Sequence, residues 1–185
     1  MITKKYTLIH SVLSVILLST PIVFGEAPMR PIIPQPVKIE STEGQFVLSA
    51  RTCLAGPEKA APVMQYLRQA LAPATGYTLP IRSLPKEGVT NILFLLKPEL
   101  AGQLGKEGYN LTVTADTVLI EAAENNGLFY GCQTLRQLLP DAIFQTRQVR
   151  DVAWSVPCLR ITDYPRFQWR GMHLDVCRHF MPKEF

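Results

Sequence analysis

Residues 111 to 122 alternate apolar and polar side chains with a period of two: Leu111 and Val113 against Thr112 and Thr114, then Val118, Ile120 and Ala122 against Leu119 and Glu121. Successive strand residues point to opposite faces, so the pattern predicts an antiparallel hairpin turning through Ala115-Asp116-Thr117, with one face buried. That face needs a cover, and two helical patterns supply it. Glu58 to Ala72 places Val63, Leu67, Ala70 and Leu71 on one side, with Pro57 suited to its start and Pro73 and Gly76 stopping it. The second runs from Asn126 or Gly127 to Leu139, with Leu128, Cys132, Leu135 and Leu139 on one side and Pro140 beyond. Gln45 to Leu48 and Tyr77 to Ile81 read as further strands. Asn91 to Leu96 is a nearly unbroken apolar run, expected to be a central strand covered on both faces. Strand, helix, strands and helix in this order predict an α/β layer, a mixed sheet carrying helices.

The chain has 185 residues, and a complete (β/α)8 barrel of roughly 250 cannot fit. The amino terminus reads as an export signal over residues 1–25. Lys4 and Lys5 precede an apolar run from Leu8 to Leu18, Pro21 breaks it, and Val23-Phe24-Gly25 offers a cleavage site. The run is interrupted by His10, Ser11 and Ser14 and is shorter than the roughly 20 apolar residues of a stable membrane span. The net charge is +4, and Lys4 and Lys5 account for half of it. So weak a basic balance gives no support to nucleic-acid binding, which needs clustered Lys and Arg. The four cysteines, Cys53, Cys132, Cys158 and Cys177, lack the close spacing of a zinc site. In an exported chain they allow three full pairings, none of which the spacing selects, and free buried thiols fit as well. Gly127 and Gly131 flank Leu128-Phe129-Tyr130 but match no phosphate-binding fingerprint, and close packing is the expected reason for them.

Residues 28–36 are proline-rich and read as an extended lead-in. Residues 26–150 are expected to form the α/β layer, 151–165 a connector ending in a strand, and 166–185 a different unit. From Arg166 to Phe180 the chain holds three Arg, two His, one Asp, two Phe and one Trp in fifteen positions. That composition suits the wall of a polar pocket better than a surface strand.

This last stretch, Pro165-Arg166-Phe167, Trp169-Arg170-Gly171, Leu174-Asp175 and Arg178-His179-Phe180, resembles the start of the catalytic barrel in family 20 glycoside hydrolases, the β-N-acetylhexosaminidases. Upstream, Ile33-Pro34-Gln35-Pro36, Gly108-Tyr109-Asn110-Leu111-Thr112-Val113, Ile120-Glu121-Ala122, Gly127-Leu128-Phe129-Tyr130-Gly131 and Gln133-Thr134-Leu135-Arg136-Gln137-Leu138-Leu139 resemble that family's accessory N-terminal domain. The resemblance implies an accessory α/β domain followed by the first strand of a truncated (β/α)8 barrel beginning near Trp169. The chain would then be an N-terminal fragment of an exported exo-acting enzyme on N-acetylhexosamine-terminated glycans or chitooligosaccharides, with no metal and no organic cofactor.

Arg170 is the one residue to which the resemblance gives a substrate role, hydrogen bonding to the C3 and C4 hydroxyls of the terminal sugar. A planar guanidinium with five donors suits two neighbouring hydroxyls. Asp175 and Arg178 are expected to pair structurally, and His179 and Trp169 to pack. Family 20 enzymes use the substrate's 2-acetamido oxygen as nucleophile, with an adjacent Asp-Glu pair to orient it and to move the proton. No Asp-Glu dipeptide occurs among the 185 residues, so the chain by itself is expected to be inactive. The alternative is a non-catalytic glycan-binding or interaction module derived from the accessory domain.

Overall fold

The computed structural model describes residues 31–173 and residue 182. The export signal over 1–25 and the Asp175, Cys177, Arg178 and His179 positions lie outside the described residues. Seven strands form one sheet: β1 (Lys38–Val47), β2 (Cys53–Ala55), β3 (Ile81–Arg82), β4 (Asn91–Leu96), β5 (Tyr109–Val113), β6 (Thr117–Ala122) and β7 (Ser155–Asp163), in the order β1-β7-β5-β6-β4-β2-β3. The helices are α1 (Ala61–Thr75), the short α2 (Ala101–Leu104) and α3 (Asn125–Leu138). The sheet is mixed, antiparallel from β1 through β7 and β5 to β6, and parallel across β6, β4, β2 and β3.

The β5–β6 hairpin has the register that the alternation requires, with Leu111 opposite Ile120 and Val113 opposite Val118. These four side chains are buried against the helices, while Thr112 and Leu119 on the other face are half-buried. The helices contribute Val63, Met64, Leu67 and Leu71 from α1 and Leu128, Cys132, Leu135 and Leu138 from α3, all joined in one apolar cluster with the strand residues. Strand β4 lies between β2 and β6, but it is not covered on both faces. Ile92 and Phe94 are buried under the helices, whereas Leu95 is 38% exposed, because both long helices pack on the same side.

Other elements differ from the sequence reading. Helix α1 begins with a 3-10 turn at Glu58–Ala60 and continues past Pro73 to Thr75. Pro73 sits in the last turn, where the lost backbone donor affects only that one turn. Gly76 ends the helix in the left-handed conformation at φ 72°, its N–H bonding the Ala72 carbonyl. The strand expected over Tyr77–Ile81 is reduced to Ile81–Arg82, since Pro80 has no N–H for a ladder.

The strand expected at the end of the 151–165 connector is β7, which occupies Ser155–Asp163 and pairs with β1 on one side and β5 on the other. Pro157 falls inside it. Residue 157 lies next to an irregularity in the β1 register between Ser41 and Gln45, and beyond the Leu159–Asp163 span paired with β5, a position where proline is tolerated. Residues 164–173 adopt no strand. The barrel strand expected from Trp169 falls largely outside the described residues.

Candidate site at the chain exit

Strand β7 ends at Asp163 beside the start of β5 and the flank of α3. There the chain turns along a groove of about 460 Å³ whose walls come from residues 32–35, Glu107 and Tyr109, the outer side of α3, and residues 163–170. Three sets of bonds build it. Gln137 on α3 clasps the backbone of Ile33, its Oε1 accepting the Ile33 N–H at 2.9 Å and its Nε2 donating to the Ile33 carbonyl at 3.0 Å. Asp163 accepts from the Val37 N–H at 3.1 Å and from the Tyr109 hydroxyl at 3.4 Å. The Tyr109 hydroxyl and Thr134 Oγ1 are 2.5 Å apart. Burial pushes the Tyr109 phenol well above its ordinary range, so it remains a neutral hydrogen-bonding group.

Gly108 makes the exit possible. A Cβ there would lie 2.3 Å from the Leu104 carbonyl oxygen and 2.8 Å from Tyr164 Cβ, so the outgoing chain rests directly on the backbone before β5.

Arg170, the residue expected to bind sugar, lies on the groove wall. Its Nη2 donates to both Glu107 carboxylate oxygens at 2.9 Å, its Nη1 donates to the Phe167 carbonyl at 2.9 Å, and its guanidinium carbon stands 5.9 Å from the Tyr130 ring centroid. The Glu107 hydrogen bond, with Tyr130 behind it, holds the Arg170 proton even more firmly than usual. Both partners remain partly exposed, with side-chain exposures of 42% and 32%, so solvent and salt screen the pair.

Trp169, expected to pack, is 89% exposed, and Phe167 is 73% exposed, because none of the described residues covers them. The sequence patterns give no site role to Glu107 or Asp163, and Tyr130 and Gln137 enter there only as part of the resemblance. Glu107 directly precedes the Gly108-Tyr109 pair used for the resemblance, which was the one available pointer to it. The groove offers aromatic walls, amides, the carboxylates of Glu107 and Asp163 and the guanidiniums of Arg166 and Arg170, a set suited to binding. Among the described residues no group of His, Cys, Asp and Glu could hold a metal ion, and no helix is long and apolar enough to cross a membrane. Cys53, Cys132 and Cys158 are free and buried. Loss of solvation raises the pKa of all three thiols.

Residues 29–164 match glycosyl hydrolase family 20, domain 2. The chain belongs to glycoside hydrolase family 20. The match takes in β7 and ends where the chain turns into the groove. Relatives include a β-hexosaminidase of Porphyromonas gingivalis, 32% identical over 154 residues that are 83% of this chain and 19% of the relative. A β-N-acetylhexosaminidase of Cellulomonas fimi is 34% identical over 153 residues, covering 80% of this chain and 29% of the relative. Among solved structures, the family 20 β-N-acetylhexosaminidase from Streptomyces coelicolor A3(2) superposes with a TM-score of 0.73 at 36% identity, covering 84% of this chain and 30% of that one. The chain therefore spans less than a third of these family 20 proteins.

Proposed function

We propose that this chain is the N-terminal part of an exported exo-β-N-acetylhexosaminidase that releases terminal β-linked N-acetylglucosamine or N-acetylgalactosamine by substrate-assisted retaining catalysis. The observation that carries the proposal is Trp169-Arg170-Gly171 standing directly after a family 20 accessory layer. Relatives named as hexosaminidases support the same reading.

In the proposed reaction Arg170 holds the hydroxyls of the terminal sugar, and the substrate's acetamido oxygen displaces the aglycone. An Asp-Glu pair, contributed by polypeptide downstream, orients that oxygen and transfers the proton. To reach a sugar, the Arg170 guanidinium exchanges Glu107 for the substrate. A partly exposed, screened pair permits that exchange, and only Nη2 of the guanidinium is engaged by Glu107, Nη1 donating to the Phe167 carbonyl. The export reading rests on Lys4, Lys5 and the apolar run to Leu18. Amino-terminal sequencing of the mature protein should begin within about five residues of Glu26.

The test is hydrolysis of p-nitrophenyl N-acetyl-β-glucosaminide. The 185-residue chain should give no turnover, whereas the product of an open frame running past the codon for Phe185 should be active. In that product Arg170→Lys should lower kcat/KM roughly 10- to 100-fold, as expected for loss of paired charged hydrogen bonds. Turnover by the 185-residue chain, or an unchanged kcat/KM in the variant, would sink the corresponding part of the proposal.

A further inference from the structure

We propose that Glu107 is a positioning residue of the sugar site, a resident carboxylate that occupies Arg170 in place of substrate and so sets the affinity for the terminal sugar. The inference rests on the proposed function for the sugar-binding role of Arg170, and on the geometry for the part played by Glu107.

The carboxylate is held from its own side. Glu107 stands in the turn between α2 and β5, directly before Gly108, which is packed against Leu104 and Tyr164. The Tyr130 hydroxyl on α3 donates to Glu107 Oε1 at 3.4 Å. Arg170 arrives on the outgoing chain, and its donors are divided between two partners. Nη1 donates to the Phe167 carbonyl, three residues earlier on the same segment, while Nη2 reaches both Glu107 oxygens at 2.9 Å. When Glu107 lets go, the guanidinium keeps its backbone anchor and frees one nitrogen. A carboxylate and a pair of neighbouring hydroxyls each present two acceptor oxygens side by side, so Glu107 mimics the sugar at Nη2. The two occupants exclude each other, because the two N–H groups of Nη2 serve two acceptors at a time.

Charge favours the resident, since a guanidinium bonds a carboxylate more strongly than a neutral hydroxyl. Exposure limits that advantage. The side chains are 42% and 32% exposed, so the pair has the weak, screened hold of a surface ion pair rather than the grip of a buried one. It therefore weakens sugar binding by a modest factor without barring the site. After the glycosidic bond breaks, the same hydroxyls remain on Arg170, and the returning Glu107 helps to release the product.

The experiment uses the product of the open frame that runs past the codon for Phe185. Glu107→Gln replaces the carboxylate by a neutral amide of the same shape. The KM for p-nitrophenyl N-acetyl-β-glucosaminide and the Ki of N-acetylglucosamine as product inhibitor should both fall about two- to fivefold, the factor of a partly exposed ion pair. A merely structural carboxylate acts with the opposite sign, because its loss loosens Arg170 and raises KM. Salt gives the same test without a substitution. Substrate and product are neutral, so raising NaCl from about 50 mM to about 500 mM screens the pair. Wild-type KM and Ki should then fall, and those of Glu107→Gln should stay flat. An unchanged or raised KM in a folded Glu107→Gln protein overturns the inference, and so does a wild-type KM that does not fall with salt. Should Glu107→Gln fail to fold, the wild-type salt series decides alone. Arg170→Lys separates this inference from the function beneath it: an unchanged kcat/KM in that variant removes the sugar-binding role of Arg170. An impaired Arg170→Lys protein beside a salt-independent wild-type KM removes only the part given to Glu107.

Discussion

Gly127 and Gly131 lie one turn apart on α3, both buried against the sheet, and adding one methyl group at either tests how the layer is closed. At Gly131 a Cβ would stand 2.5 Å from Ile120 Cγ2; at Gly127 it would stand 2.2 Å from the Gly108 carbonyl oxygen and 2.7 Å from Ala122 Cβ. Each falls about 1 Å short of van der Waals contact. Alanine gains about 1 kcal/mol of helix propensity over glycine, and overpacking a closed core costs about 1–3 kcal/mol. The two substitutions differ in what can move aside. Ile120 Cγ2 gives only by turning the stiff χ1 of a buried β-branched side chain, a side-chain rather than a backbone movement, so Gly131→Ala should come out destabilised by about 1 kcal/mol. The Gly108 carbonyl and Ala122 Cβ are backbone-fixed, so the first turn of α3 must retreat, and Gly127→Ala should lose about 2 kcal/mol or more. Gly102 in α2 has nothing within 4 Å, and Gly102→Ala should be neutral or stabilising by up to about 1 kcal/mol. Urea unfolding at 25 °C followed by far-ultraviolet circular dichroism should rank the midpoints Gly102→Ala, wild type, Gly131→Ala, Gly127→Ala from highest to lowest. A Gly127→Ala protein as stable as wild type would refute the argument that the helix is drawn onto the sheet by the absence of side chains.

Phe94 is fully buried between the helices and β4, and Phe94→Ala should cost about 3–5 kcal/mol in the same assay. Asn91 accepts from the Lys86 N–H and donates to the Lys86 and Val89 carbonyls, each at 2.9 Å, so Asn91→Ala should cost about 1–3 kcal/mol and sharpen proteolysis of residues 83–90, which limited digestion would show. Alkaline pH should destabilise the fold. Burial raises the folded-state pKa of Cys132 from an ordinary 9.0 and that of Tyr109 from an ordinary 10.0. Only the unfolded chain releases those protons, so the stability they contribute is intact below pH 9 and declines above it, by up to about 1.4 kcal/mol per pH unit for each group. Urea midpoints between pH 8 and 11 measure this, and Cys132→Ala should make the decline shallower, Cys53 and Cys158 still contributing; a midpoint flat to pH 11 contradicts the buried, neutral thiol and phenol.

The parts of the fold legible in the sequence are those with a local period. The alternation over 111–122 fixes the β5–β6 register because a one-residue slip would turn Leu111 and Ile120 to the open face. The helical stripes of α1 and α3 are equally local. What the sequence does not announce is long-range pairing. Strand β2 has only three residues, too few for any period, yet it joins β3 to β4. Strand β7 mixes two buried neighbours, Cys158 and Leu159, with exposed Pro157 and Arg160, because an irregular β1 register opposite it breaks the alternation. Six apolar residues in β4 read as a strand covered twice, but the burial of a strand depends on where the helices lie, and that is decided elsewhere in the chain.

The site divides in the same way. Arg170 stands out in the sequence because its neighbours form a recognisable motif, and the structure puts it on the groove wall against Glu107. Glu107 does not, since its significance comes from contact with a residue 63 positions away, and the clasp of Gln137 on Ile33 bridges 104. These contacts give the layer a directional role. Asp163 is tied to Val37 and Tyr109, Tyr164 rests on Gly108, and β7 is held from both sides over Leu159–Thr162, with Asp163 paired to β5. The chain therefore leaves the sheet along a single line, across α3 and past Glu107. Flexible linkage would need none of this: a strand ending at an edge, followed by glycine and serine, would be enough. A strand paired on both sides, pinned at its last residue and followed by Tyr-Pro-Arg-Phe, instead fixes the path of residues 164–170, and it is this path that brings Arg170 against Glu107, 63 positions earlier in the chain.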